Sequence, residues 1–305
     1  MHLIQWGQSY RKPYPACADG VPTRPTPREP EPTPSAVASA TPPLVLLFGP
    51  FDPSGADGLP ADAVTCAQLG CHAISTLTAV TVQDTAGIEE VHVQPPELLD
   101  DQARCLLEDM PVQAIKVGAL FSAESVSAVA QIAADYSHLP LVLHLGPRGP
   151  APRDAADQED ADELLAATFE LLLPQAHVAV IEHVRLNQWV AEGLVEPGEL
   201  PSPLHALLAA GAQWALATGN PVRPGHRTNL LVGPENRTAS FPWQAPPERS
   251  TDTGGVLSCA LAAQLAHGLA VPKAVEAALA YSDAAMAAAF QPGMGNRIPN
   301  RVLRR

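Results

Sequence analysis

The stretch STDTGGVLSCALAAQLAHG, residues 250–268, sets a glycine turn directly against a helix. Thr253, Gly254 and Gly255 precede a run of small and apolar residues at helical spacing. Such a turn presents backbone N–H groups and the positive end of the helix dipole, the arrangement of an anion site. The nearest carboxylate, Asp252, comes before the glycines. A second turn lies in FGPFDPSGADGLPADAVT, residues 48–65, with Asp52, Ser54, Gly55 and Gly58 in the bend and Asp57 and Asp62 near the next helix start. Backbone there can approach a ligand closely, and a carboxylate can accept from a substrate hydroxyl or amine. No GxxxxGK[ST] run occurs, which excludes a P-loop. The only lysines are Lys12, Lys116 and Lys273, so a phosphate site must use backbone N–H groups, arginine or a metal ion.

The elements that would carry these turns alternate. LVLLFG (44–49) reads as a buried strand, and the helix after it opens near Pro60 and stops at Gly70. Residues 72–82 are rich in β-branched side chains and read as a strand. An amphipathic helix follows at 95–110, a strand at 114–120, a helix at 122–137 and a strand at 140–146. PRGPAPRDAADQED (147–160) reads as an exposed loop. Helix and strand pair again at ADELLAATFELLL with 178–182, and within 202–219. TNLLVG and TASFPW suggest a hairpin around PEN, and helices at about 254–268 and 272–290 close the domain. This alternation implies a mainly parallel sheet with helices on both faces, whose ligands bind beyond the carboxyl ends of the strands. Residues 1–43 are Pro/Thr-rich and read as a disordered segment, and 293–305 as a C-terminal tail.

A net charge of −14 and a pI near 5.0 argue against nucleic acid or an anionic membrane as partner. Five cysteines without a CxxC pair form neither a zinc pattern nor a disulfide framework, which favours the cytoplasm. Cys66, Cys71 and Cys259 read as core residues. No signal peptide or membrane span is visible.

Taken in order, DPSGADGLPAD, TLTAVTVQDTAGI, KVGAL and TDTGGVLSCALAAQLAHG resemble the hydroxymethylpyrimidine/phosphomethylpyrimidine kinases, from about Leu44 to Pro292. The segment GMGNRIPN (293–300) is similar to their C-terminal end. The resemblance implies a ribokinase-like three-layer α/β/α fold with a mainly parallel central sheet over 44–292. It also implies ATP-dependent phosphorylation of a hydroxymethylpyrimidine or its monophosphate in thiamine biosynthesis, with Mg²⁺ and a homodimer. Its pyrimidine pocket falls on Asp52, Gly55, Asp62, Gln83 and Gly118. A glutamine amide offers a donor and an acceptor side by side, matching an aminopyrimidine edge. Its catalytic anion loop falls on Asp252, Thr253, Gly254 and Gly255, and its nucleotide contacts on Thr218 and Gly219. No metal-ligating residue is assigned.

The chain departs from that pattern at identifiable places. The loop cysteine that would act as base is Gly255, and the first loop glycine is Asp252. The Asn-x-x-Glu positions are His183 and Leu186, the strand-end lysine is Thr218, an aspartate is His144 and a small pocket residue is Asp57. Recognition groups thus survive better than phosphoryl-transfer groups. The alternative is a non-catalytic pseudokinase that binds a pyrimidine or nucleotide as sensor or partner. On its own, Asp252 reads as a helix cap or a solvated loop carboxylate, and as a displaced base only within reach of a substrate hydroxyl. Lys116 reads as a strand-end decoration. His144 and His183 gain a role only if they converge.

Overall fold

The computed structural model describes residues 41–146, 155–196, 198 and 200–303. The expected disordered segment, up to residue 40, lies outside them, as does 147–154 of the expected loop. Within Pro42–Arg305 the strands are β1 (Leu44–Phe51), β2 (His72–Gln83), β3 (Ile88–Val93), β4 (Val112–Val117), β5 (Leu141–Leu145), β6 (Val178–Glu182), β7 (Trp214–Arg223), β8 (His226–Val232) and β9 (Thr238–Pro242). The helices are α1 (Gly58–Gln68), α2 (Pro96–Asp109), α3 (Ala123–Asp135), α4 (Ala155–Ala167), α5 (His183–Ala191), α6 (Pro203–Ala209), α7 (Thr253–Ala266) and α8 (Val271–Ala287).

Among the described residues these strands form one sheet in the order β3-β2-β1-β4-β5-β6-β7-β8-β9. The pairs from β2 to β7 are parallel, and antiparallel pairs close both edges. Successive residues of a strand face opposite sides, and β1 divides accordingly. Leu44, Leu46 and Phe48 join the core built with α2, α3, α5 and α6, whereas Val45 and Leu47 join the core built with α1, α7 and α8. This is the expected ribokinase-like arrangement of a mainly parallel sheet between two helical layers.

Helix α7 is buried nearly all round, from Gly255 to Ala263. Its Ala, Gly and Cys side chains let neighbouring backbones come close, and a helix apolar on every face belongs inside a protein. Cys66 and Cys259 meet there with sulfurs 3.7 Å apart, and Cys71 lies at the same layer, as expected of core cysteines. The N-terminus of α7 is therefore held rigidly at the carboxyl ends of the parallel strands.

Two expectations are corrected. Residues 155–160 are the first turns of α4 rather than loop. AADQED lacks the apolar stripe that marks a packed helix, although Ala, Gln and Glu are good helix formers. The segment 293–303 is no separate tail: Asn296 N donates to Thr85 O at 2.6 Å, Arg297 N donates to Arg249 O at 2.7 Å, and Ile298 pairs with Phe290. It returns Arg301 to the protein interior, 5% exposed.

Candidate active site

The DPSG turn is built by its own aspartate. Buried Asp52 accepts from Ser54 N at 2.8 Å, Ser54 Oγ at 2.8 Å, Ala56 N at 3.0 Å and Asp57 N at 2.9 Å. Its hydrogen-bonding capacity is thus committed to the turn. Gly58 follows at φ +64°, where a Cβ would stand 2.3 Å from Pro50 O; only glycine lets α1 start this close to β1. Asp57 caps α1 by accepting from Gly58 N at 2.5 Å.

Below the turn, Lys116 Nζ donates to Asp62 Oδ2 at 2.6 Å, both side chains 2% exposed. Burial alone would lower the lysine, but the Asp62 charge and hydrogen bond outweigh it and raise its pKa. Burial raises Asp62, against the pull of Lys116. Lys116 is thus a buried partner and not a strand-end decoration.

Asp252 enters α7 in the left-handed region at φ 54° and makes no side-chain cap. It is neither a helix cap nor solvated, being 2% exposed, and Arg301 Nη2 donates to its Oδ2. The first-turn N–H groups of α7, from Thr253 to Gly255, have no partner within the helix. Thr253 Oγ1 donates to Glu182 Oε1 at 2.6 Å, which ties the loop to the end of β6. Gly254 packs so closely on His144 that a Cβ would lie 2.2 Å from its Nε2.

Two cavities open here. One, of about 350 Å³, is lined by Asp57, Gln83, Lys116, Gly118, His144, Asp252, Thr253 and Gly254, with Glu182 and Asn296. The other, of about 280 Å³, lies among Thr218, Gly219, Arg227, Trp243, Leu257 and Met286. Arg227 stacks over the Trp243 ring at 5.3 Å from its centroid, a cation–π contact. Glu182 and Thr253 line both.

Of the residues expected in the pyrimidine pocket, Gln83 and Gly118 thus line the first cavity. Asp52, Gly55 and Asp62 shape its floor and turn without lining it. Asp252, Thr253 and Gly254 line it, while Gly255 lies behind Asp252. Thr218 and Gly219 line the second cavity. His144 and His183 do not converge: His144 faces the first cavity, and His183 Nε2 pairs with Asn187 Nδ2 at 2.7 Å. Glu182, Arg227 and Trp243, which line the cavities, and Arg301, which holds Asp252, are residues of the candidate site that sequence reasoning missed.

Burial and the neighbouring Asp57 charge push Asp252 well above the usual carboxylate range, against Arg301. A group whose folded pKa is raised contributes stability that is full below its unfolded value near 3.9 and is lost as pH rises through the folded value. Asp252→Asn removes this dependence. Its stability relative to the unsubstituted protein should therefore improve between pH 5 and pH 8 in urea denaturation; a gap that does not change with pH contradicts the assignment.

The phosphomethylpyrimidine kinase family matches residues 52–300. The chain is 34% identical over 262 residues to the hydroxymethylpyrimidine/phosphomethylpyrimidine kinase of Streptomyces coelicolor, covering 84% of this chain and 93% of that one. It is 31% identical over 264 residues to the kinase of that name from Mycobacterium tuberculosis, covering 86% and 95%. Among solved structures, Bacillus subtilis pyridoxal kinase in its ADP complex superposes with a TM-score of 0.72 at 21% identity, covering 86% of this chain and 98% of that one. Phosphomethylpyrimidine kinase from Clostridium difficile gives 0.64 at 22% identity, covering 79% and 98%. With its sheet order, its paired cavities and this match across most of its length, the chain belongs to the phosphomethylpyrimidine kinase family and is a ribokinase-like phosphotransferase.

Proposed function

We propose that the protein transfers the terminal phosphoryl group of ATP to 4-amino-5-hydroxymethyl-2-methylpyrimidine or its monophosphate, as a step of thiamine biosynthesis. The observation that carries this reading is the meeting of two cavities at Glu182 and Thr253, beside the open N-terminus of α7. Phosphoryl transfer needs two substrates held in line and donors aimed at the charge that develops between them. The names of the Streptomyces coelicolor and Mycobacterium tuberculosis relatives point to the pyrimidine, and a relative from Geobacter sulfurreducens is a thiamine biosynthesis bifunctional protein.

Trp243, Leu257 and Met286 offer an apolar slot for a nucleobase, and the cationic Arg227 flanks it. A Staphylococcus aureus pyridoxal kinase of the same fold has been solved with AMP-PCP. Mg²⁺ would supply charge neutralisation on the phosphates. Among the described residues no group of three or more His, Cys, Asp or Glu could hold a metal, but this ion commonly binds through one or two carboxylates, waters and substrate phosphates. Glu182, which lines both cavities, is the carboxylate that would share it. The first-turn N–H groups of Thr253 and Gly254, which line the cavity, would hold the transferring phosphoryl.

In the other cavity the Gln83 amide reads the aminopyrimidine edge. Gln83→Ala should weaken pyrimidine binding about 10- to 100-fold, the loss of two hydrogen bonds of about 1 kcal/mol each, and leave ATP binding unchanged. Calorimetric titration with each ligand checks this; equal weakening of both, or of neither, contradicts the pocket assignment. One observation favours a second reading, a binding protein without transfer: Gly255 has no side chain to accept a proton. Calorimetry followed by product analysis separates the two.

A further inference from the structure

The space beside Gly255 is filled from elsewhere in the loop. A Cβ at Gly255 would stand 1.6 Å from Asp252 Oδ1, so the Asp252 carboxyl occupies the volume where a side chain from position 255 would begin. Arg301 fixes it there: Nη2 donates to Asp252 Oδ2 and also to Ala56 O at 2.8 Å, which ties the guanidinium to the residue before Asp57. Asp252 Oδ1 is buried and has no donor among the described residues. Its neighbour is the Asp57 carboxyl. Two carboxyl groups can hydrogen-bond only when one holds a proton.

The surroundings decide which one holds it. Burial would raise Asp57, but the Asp252 hydrogen bond, Lys116 and His144 outweigh this and lower it. Burial, Asp57 and Asp62 raise Asp252, with Arg301 opposing. These groups bias the shared proton toward Asp252 and leave Asp57, which lines the cavity, as the carboxylate. Asp57 also caps α1, yet its oxygens offer about four acceptor sites, which leaves room for a substrate hydroxyl.

Resting on the phosphoryl-transfer reading above, we infer that Asp57 and Asp252 replace the side chain absent from position 255 as the proton acceptor for the substrate alcohol. Asp57 takes the proton, and Asp252 is the positioning residue that holds it, anchored by Arg301. As the O–H bond breaks, its proton goes to Asp57, and the alcohol oxygen uses the freed electron pair to bond phosphorus. The bond from that phosphorus to the bridging oxygen of the nucleotide breaks, and the diphosphate leaves with that pair.

Asp57→Asn keeps the helix cap and the size but cannot accept the proton. Its kcat should fall about 100-fold or more, the scale of a lost general base, while its pyrimidine Kd by calorimetry stays within about threefold. Asp57→Ser, which also caps, serves if the first variant fails to fold. Asp252→Asn should turn the two coupled ionisations of the kcat/KM–pH profile into one. A readout without turnover is carbon-13 NMR titration of the aspartate carboxyls in the free protein, where Asp252 should keep its proton at neutral pH. Turnover of Asp57→Asn within about threefold of the unsubstituted protein, or an ionised Asp252 at neutral pH, overturns the inference alone. An unsubstituted protein that binds the pyrimidine and makes no product overturns the proposed function, and the acceptor role with it.

Discussion

Lys116→Met should cost about 3–5 kcal/mol of folding stability, because it strands an ionised Asp62 in the interior. The lysine and aspartate are each 2% exposed and joined at 2.6 Å, so no water replaces the lost partner. The cost comes from the unpaired charge and not from the strength of the pair. Replacing both, as Lys116→Met with Asp62→Leu, should therefore recover most of it, since a well-packed apolar pair often matches a buried ion pair. Urea denaturation of the single and double variants checks this. A single-variant loss below about 1 kcal/mol, the scale of an exposed pair, would mean that water reaches Asp62. Lys116 also helps hold Asp57 ionised, so the same variant should raise the acid limb of the pH–rate profile.

Gly255→Cys, which puts a thiol where the resemblance calls for a base, should fail to raise turnover and should cost about 1–3 kcal/mol, the scale of overpacking a filled site. The new Cβ would meet Asp252 Oδ1 at 1.6 Å. Asp252 can leave only by breaking its contacts with Arg301 and Asp57. Asp252→Gly combined with Gly255→Cys should remove the conflict and relieve a non-glycine residue at φ 54°. The double variant should be more stable than the sum of the singles by about 1 kcal/mol or more, a coupling expected only of residues in contact. Additive effects would show that positions 252 and 255 are independent. A gain in turnover by Gly255→Cys alone would show that Asp252 does not stand in for the missing side chain.

Much of the fold was legible because burial on both faces leaves long marks in the chain. LVLLFG at 44–49, PLVLHLG at 140–146 and VAVIE at 178–182 are apolar runs of strand length, and all are strands of the parallel sheet. β3 left a weak mark, since IEEVHV lies on an edge, mostly exposed. Helix α5 was missed because HVRLNQWVA buries only Leu186 and Trp189.

The site was legible to a lesser degree, for a different reason. Gln83, Gly118 and the glycine loop fall on motifs that are local in the chain. Their partners are not: Asp62 meets Lys116 across 54 positions and Asp252 meets Arg301 across 49. Spacing carries no signal for such pairs. Asp57, Asp252 and Gly255 each look like a lost feature when read singly. In three dimensions the Asp252 carboxyl fills the volume that the glycine vacates, and Asp57 lines the same cavity as Asp252.

The most direct test of the account is product analysis by phosphorus-31 NMR and mass spectrometry after incubating the full chain with the hydroxymethylpyrimidine, ATP and Mg²⁺. The account predicts a phosphorylated pyrimidine formed in equal amount with ADP, with no product when either substrate is omitted. Saturable pyrimidine binding by calorimetry with no phosphorylated pyrimidine after prolonged incubation would contradict it.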